Sequence, residues 1–209
     1  MMLDSLYNTP VASVIFALTI GLSLFVFSNP QWYGRLMLHP YSIHQDKSKA
    51  YTILTSGLIH KDWMHLLFNM MTFYYFGFSL ELMFVQFSGP LGHLLFAFLY
   101  VVSLILSDIP TLLQQKNNPG YYSLGASGAI CAVLFSFILF QPKAMLGLFM
   151  VIPIPAYLFA FLFLGYCIWA SKKAHDGINH DAHLFGALSG LVLTLLMYPW
   201  AFRHLLSQF

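Results

Sequence analysis

The sequence predicts an all-α membrane protein, a single bundle of six transmembrane helices, and three observations predict it. Charged residues make up 8% of the 209 positions, where a soluble domain carries about 25%. Mean hydropathy is +0.73, so a water-facing surface cannot be assembled from this chain. Apolar stretches of membrane length recur with short connections, and a spanning helix takes roughly 17–25 residues. Six of them use nearly the whole chain and leave no room for a soluble second domain.

The first span is Val11–Phe27. Met1–Pro10 has no Lys or Arg, and no small-residue cleavage site follows the apolar stretch, so it reads as a retained helix and not as a secretory signal. The longest polar stretch, Ser28 to His65, holds Trp32, Tyr33, Tyr41, Tyr51 and Trp63, aromatics of the kind that settle at a membrane interface; a partly embedded loop is expected. Leu66–Phe87, interrupted by Asn69 and Glu81, is the second span, Leu91–Leu106 the third and Leu124–Phe140 the fourth. Leu146–Ile152 is apolar but stopped by Pro153 and Pro155. It reads as an interfacial cap before a fifth helix, Ala156–Ala170, beginning near Pro155, since proline suits a first helical turn. Leu184–Phe202 is the sixth span. Cys131 and Cys167 both lie inside apolar stretches, against a disulfide framework. A net charge of +2, with no basic cluster longer than Lys172-Lys173, excludes nucleic acid as a partner and leaves the lipid bilayer.

With six spans, the first, third and fifth connections lie on one side of the membrane. That brings three polar clusters to one edge: His60, His65 and Asn69 where span two starts, Ser127 where span four starts, and His180, Asp181 and His183 where span six starts. Small residues recur every four positions on span four (Gly128, Ala132, Ser136) and span six (Ala182, Gly186, Gly190, Thr194). Such stripes let helix backbones approach closely in lipid, and if they meet, Ser127 and His183 can touch.

A polar side chain inside a span is expensive and invites an explanation. Ser127 sits in Gly125-Ala126-Ser127-Gly128, where glycines permit a tight turn and a close backbone approach. A serine hydroxyl becomes a nucleophile when a neutral histidine takes its proton, and His183 is the best-placed base. The oxyanion of an acyl transfer needs fixed donors. His65 and Asn69, spaced i, i+4, share one helix face, and the backbone N–H of Ser127 at a helix start supplies a third donor.

Each residue also has a plainer explanation. A serine between glycines is more often a packing residue, His183 alone could be a buried histidine bonded to a carbonyl, and Asn69 could glue helices through its amide. His60 and His180 read as structural or solvated, and Glu81 as a hydrogen-bonded helix anchor. Asp176 and Asp181 raise the question of a triad; Asp181 points elsewhere on a helix, and both read as solvated loop carboxylates. A second function class is a metal-binding membrane protein or transporter, with His60, His65, His180, His183 and Asp181 as zinc donors. It has no HExxH motif behind it and leaves the glycine-flanked serine unexplained.

Taken together, His60-Lys61-Asp62-Trp63-Met64-His65-Leu66-Leu67-Phe68-Asn69, then Gly77 and Glu81, the GASG stretch, and Ala182-His183-Leu184-Phe185-Gly186 with Gly190 resemble the rhomboid proteases over nearly the full chain. The resemblance implies a six-transmembrane-helix rhomboid-like bundle and a Ser127–His183 dyad in a water-accessible cavity open to the non-cytoplasmic side. It implies a serine endopeptidase that cleaves transmembrane protein substrates in or beside their spans, with no metal and no organic cofactor. His65 and Asn69 would bind the oxyanion, His60 and Glu81 would support loop and helix packing, and Gly125, Gly128, Gly186 and Gly190 would serve close packing. A third function class, the inactive relative that escorts membrane clients, usually lacks the serine or the histidine; both are present.

Two departures from that pattern stand out. A Trp-Arg pair often found before the first His of span two is here Tyr51-Thr52, and the aromatic that often stacks on the base, four positions after the serine, is here Cys131. Orientation carries a conflict. The family arrangement, N-terminus inside, leaves only Lys143 and Arg203 cytoplasmic and puts the other seven Lys and Arg outside, the reverse of the positive-inside rule. The absence of an Arg-rich transit segment leans towards a bacterial inner membrane.

Overall fold

The computed structural model describes residues 7–148, 151–174 and 176–209. It is predominantly helical, with α1 (Pro10–Ser28), α2 (Trp63–Ser88), α3 (Leu91–Gln114), α4 (Ser127–Phe140), α5 (Ala156–Lys173), α6 (His180–Met197) and a short α7 (Trp200–Ser207). By length and composition α1, α3 and α6 are each able to cross a bilayer, while α4 is apolar but only 14 residues long. Leu94, Phe161 and Leu196 stay exposed on the outer faces of α3, α5 and α6. A chain with this apolar exterior is a membrane protein.

Three helix extents differ from the sequence pattern. α3 runs on past Leu106 because Ser107, Asp108, Pro110 and Thr111 are buried inside the bundle, so their polarity does not mark a surface loop. α4 starts at Ser127 and not at Leu124, since Gly125 takes φ 118°, which breaks the helix before it begins. α6 spans His180–Met197 where Leu184–Phe202 was expected: Asn179 caps it early, accepting from the Ala182 N–H at 3.0 Å, and the bend before Pro199 ends it.

The fold is also not purely α. The expected cap is a β-hairpin, β1 (Met145–Leu148) pairing antiparallel with β2 (Ile152–Pro155) in the register Met145↔Pro155 to Leu148↔Ile152. Two strands leave each with an open edge, which is where prolines without an N–H are tolerated. Leu146 and Ile154 turn inward onto Leu134, Phe135 and Ile138 of α4.

α4 is the central rod. Twelve of its residues are buried, against α2, α3 and α6. In lipid the hydrophobic effect does not drive helices together, so close backbone packing decides, and the small-residue stripes supply it. A Cβ on Gly186 would collide with the backbone of Gly128, and one on Gly190 with the carbonyl of Ala132. Ser136 adds a hydrogen bond across the same seam, to the Gly190 carbonyl at 3.2 Å. α1 lies outside α2 and is pinned by Glu81, which is fully buried and accepts from the N–H groups of Val11 (3.2 Å) and Ala12 (2.6 Å) while meeting His93 Nδ1 at 2.6 Å. A carboxylate at a helix N-terminus satisfies orphan donors and complements the dipole.

Candidate active site

At the end of the bundle opposite Glu81, a cavity of about 1050 Å³ opens among the first turns of α2, α4 and α6 and the end of α3. His65, Asn69, Ser127 and His183 all line it. His183 Nε2 lies 2.8 Å from Ser127 Oγ. The bond exists because the α4–α6 seam has no side chains to hold the two helices apart just below it, so residues on their first turns come within reach.

The serine is held from behind by the loop that follows α1. Leu38 and Ser123 exchange backbone hydrogen bonds at 2.9 and 3.0 Å, and the Gly125 N–H donates to the Ser56 carbonyl at 2.9 Å. Gly125 answers a second demand: a Cβ there would lie 2.7 Å from His65 Cε1. The loop itself is tied without a Trp-Arg pair. Tyr51 donates to the Arg35 carbonyl at 3.1 Å, Thr52 to the Lys49 carbonyl at 2.8 Å and Thr55 to the Leu36 carbonyl at 2.9 Å.

The Ser127 N–H is the first of α4. Asn69 donates one amide hydrogen to the His65 carbonyl, 2.9 Å away on its own helix, which leaves the other for the cavity. His60 does not line the cavity. Its Nδ1 meets Ser23 Oγ at 3.0 Å, its carbonyl accepts from Tyr33 at 2.7 Å, and its ring packs edge-on to His65. Burial pushes its pKa down to about 3, with the neighbouring His65 adding to the shift.

Neither candidate carboxylate is hydrogen-bonded to His183 among the described residues. Asp176 instead receives the Ile178 N–H and His180 Nε2, at 3.0 and 3.1 Å. Behind His183 the face of Phe163, on α5, lies at 6.4 Å and 26° to the ring, where Cys131 would leave a gap. Two residues escape the sequence reading. Asn179 joins α6 to the end of α3 through Thr111 Oγ1 at 2.8 Å; an Asn just before a helical run is the signal that could have marked it. Asp108, almost buried, faces the same cavity. Of the five zinc donors weighed from the sequence only His180 and His183 come together in a group able to hold a metal ion among the described residues, and their third member is Cys167, not His60, His65 or Asp181.

Fold and site together define a helical membrane protein with a serine–histidine pair in a recessed cavity. The chain belongs to the rhomboid family, the Rhomboid domain profile matching residues 47–200. It is 29% identical over 167 residues to "RHOMBOID-like protein 12, mitochondrial" of Arabidopsis thaliana, covering 73% of this chain and 49% of that protein, so it spans about half the length of that relative. It is also 29% identical over 197 residues to "Putative rhomboid protease YdcA" of Bacillus subtilis (strain 168), covering 90% of this chain and 88% of that one.

Proposed function

We propose that this chain is an intramembrane serine endopeptidase that hydrolyses peptide bonds in or next to the transmembrane segments of other membrane proteins, in a bacterial inner (plasma) membrane. In this reading α2, α4 and α5 cross the bilayer with α1, α3 and α6, which makes six. The observation that carries it is the 2.8 Å contact between Ser127 Oγ and His183 Nε2 inside a cavity roomy enough for water and an unwound peptide.

His183 begins as the Nδ1–H tautomer, its Nε2 lone pair accepting the Ser127 hydrogen. Ser127 Oγ attacks the substrate carbonyl as its proton passes to Nε2, and the oxyanion meets the Ser127 N–H, the second Asn69 amide hydrogen and the His65 ring N–H. Nε2–H then protonates the leaving amine, and a cavity water, deprotonated by His183, hydrolyses the acyl-serine. No metal or organic cofactor takes part. With no carboxylate on Nδ1 among the described residues, the imidazole is oriented by packing, a simpler arrangement than a three-residue triad.

The test is cleavage of a labelled transmembrane substrate by the purified protein in detergent or vesicles. Ser127→Ala and His183→Ala should each lower the rate by ~10⁴-fold or more with unchanged melting. Cleavage that survives both substitutions rejects the assignment; binding of the substrate without cleavage in the wild type identifies a client-binding protein instead.

A further inference from the structure

We propose that Cys167, His180 and His183 form an inhibitory site for a thiophilic divalent cation, zinc above all, which silences the dyad by occupying Nδ1 of His183. The Cys167 Sγ and one ring nitrogen of each histidine lie within 4.8 Å of one another. Donors around tetrahedral zinc sit about 3.3–3.8 Å apart, given metal–ligand bonds of roughly 2.0–2.3 Å, so a contraction of about 1 Å completes three corners. One thiol and two imidazoles are a donor set that suits zinc.

A second observation points the same way. His180 is 5% exposed, its Nε2 faces both carboxylate oxygens of Asp176 at 3.1 and 3.2 Å, and its buried Nδ1 has no hydrogen-bond partner among the described residues. Asp176 selects the Nε2–H tautomer and leaves a bare lone pair on Nδ1. An unsatisfied buried acceptor is costly, yet a carboxylate behind one ring nitrogen and an open lone pair on the other is how a metal-ligating histidine is prepared. His183 Nε2 is committed to Ser127, which leaves Nδ1 as its remaining ring nitrogen. Cys167 completes the set from α5, a helix whose buried residues are only Ala156, Cys167 and Ala170. That narrow contact lets α5 shift by the ångström required, and the cavity reaches His183 and Asp176 as a path for the cation.

Binding forms a metal–sulfur bond as the Cys167 thiol gives its proton to water, and two metal–nitrogen bonds from the Nδ1 lone pairs. The proton that Nδ1 of His183 carried in the active tautomer moves to Nε2. That nitrogen then donates to Ser127 Oγ and can no longer accept from it, so the base is lost while both reacting side chains stay in place. The inference rests on reading His183 as the base for its effect on catalysis, though not for the binding itself.

The experiment separates the two. Metal-free full-length protein in detergent is titrated with cobalt(II), whose thiolate charge-transfer absorption reports a Cys ligand, and then with zinc chloride to displace it. The band should form in the wild type, in Ser127→Ala and in Cys131→Ala, and be absent from Cys167→Ser. In the cleavage assay zinc chloride should inhibit the wild type, and the concentration for half-inhibition should rise at least ~10-fold in Cys167→Ser and His180→Asn, and about 10-fold in Asp176→Asn, where only the supporting carboxylate is lost. Melting curves establish that each variant is folded. No thiolate band in the folded wild type, or zinc inhibition equal in wild type and Cys167→Ser, overturns the proposal. A band in a chain that cleaves nothing upholds the site and removes the protease reading instead.

Discussion

α6 and α5 pack against the same central helix in opposite ways. Along α6, Gly186 and Gly190 rest on the backbone of α4 with no space for one carbon more, whereas Gly165 on α5 has nothing within 4 Å of where a Cβ would stand. α6 buries seven of its residues and α5 three. The difference teaches where each part of the site gets its precision. Ser127 and His183 stand on the tight seam, so their 2.8 Å contact is set by backbone against backbone. The groups behind the imidazole, Phe163 and Cys167, stand on the loosely held helix. A hydrogen bond needs its distance fixed to a few tenths of an ångström, and a stacked ring or a metal ligand that arrives by a helix shift does not.

The hardest way to break the comparison is Gly186→Val. The obstruction is the Gly128 backbone, which cannot rotate away as a side chain would, so overpacking should cost about 3 kcal/mol, the upper end of the usual range, and cleavage should fall with it. Thermal unfolding in detergent beside the cleavage rate reads both. A variant that melts like the wild type would mean that the seam is not what sets the dyad.

The same tight interior holds His60 neutral, and pH exposes that. Its folded pKa of about 3 lies below the ordinary 6.5, so its contribution to stability is complete above pH 6.5 and is lost as pH falls towards 3. By linkage, the wild type should lose about 2 kcal/mol more than His60→Gln between pH 7.5 and pH 5. Parallel pH profiles in chemical unfolding would show that the ring takes up protons as freely in the folded chain as in the unfolded one.

On the loose side, Phe163→Ala removes a half-buried ring that packs on Phe135 and Phe159, so it should lower melting less than Gly186→Val does and slow turnover by about 10-fold, short of the ~10²-fold that an ångström of misplacement costs. The loss should fall mainly in kcat, because the ring stands behind His183, and since Phe163 also lines the cavity KM is measured beside it. A variant that unfolds would show α5 to be as firmly packed as α6.

What was legible in the sequence follows the same division. Small residues every four positions and polar residues at matching depths are local patterns, so the α4–α6 seam and the meeting of Ser127 with His183 could be read from them. The hairpin could not, since antiparallel pairing of Met145 with Pro155 depends on register between strands and the prolines suggested only a break. α3 outran its apolar stretch because Asp108 and Thr111 are buried, and burial of a polar side chain is decided by neighbours far along the chain. Cys167 and His180 lie thirteen positions apart with no metal-binding spacing between them, and only the contact of α5 with α6 joins them.

The smallest effect sharpens the contrast most cleanly. Gly165→Ala adds the same single carbon that Gly186 and Gly190 cannot accept, but on a face where no atom opposes it. Only the backbone term remains: a mid-helix glycine is less favourable than alanine by roughly 0.5–1 kcal/mol, so this variant should melt slightly higher than the wild type and cleave at the same rate. A stabilised protein with unchanged turnover places that site of α5 against lipid. One that gains stability but loses turnover or zinc inhibition would show that the looseness of α5 is used, since alanine would then have stiffened a helix that has to move.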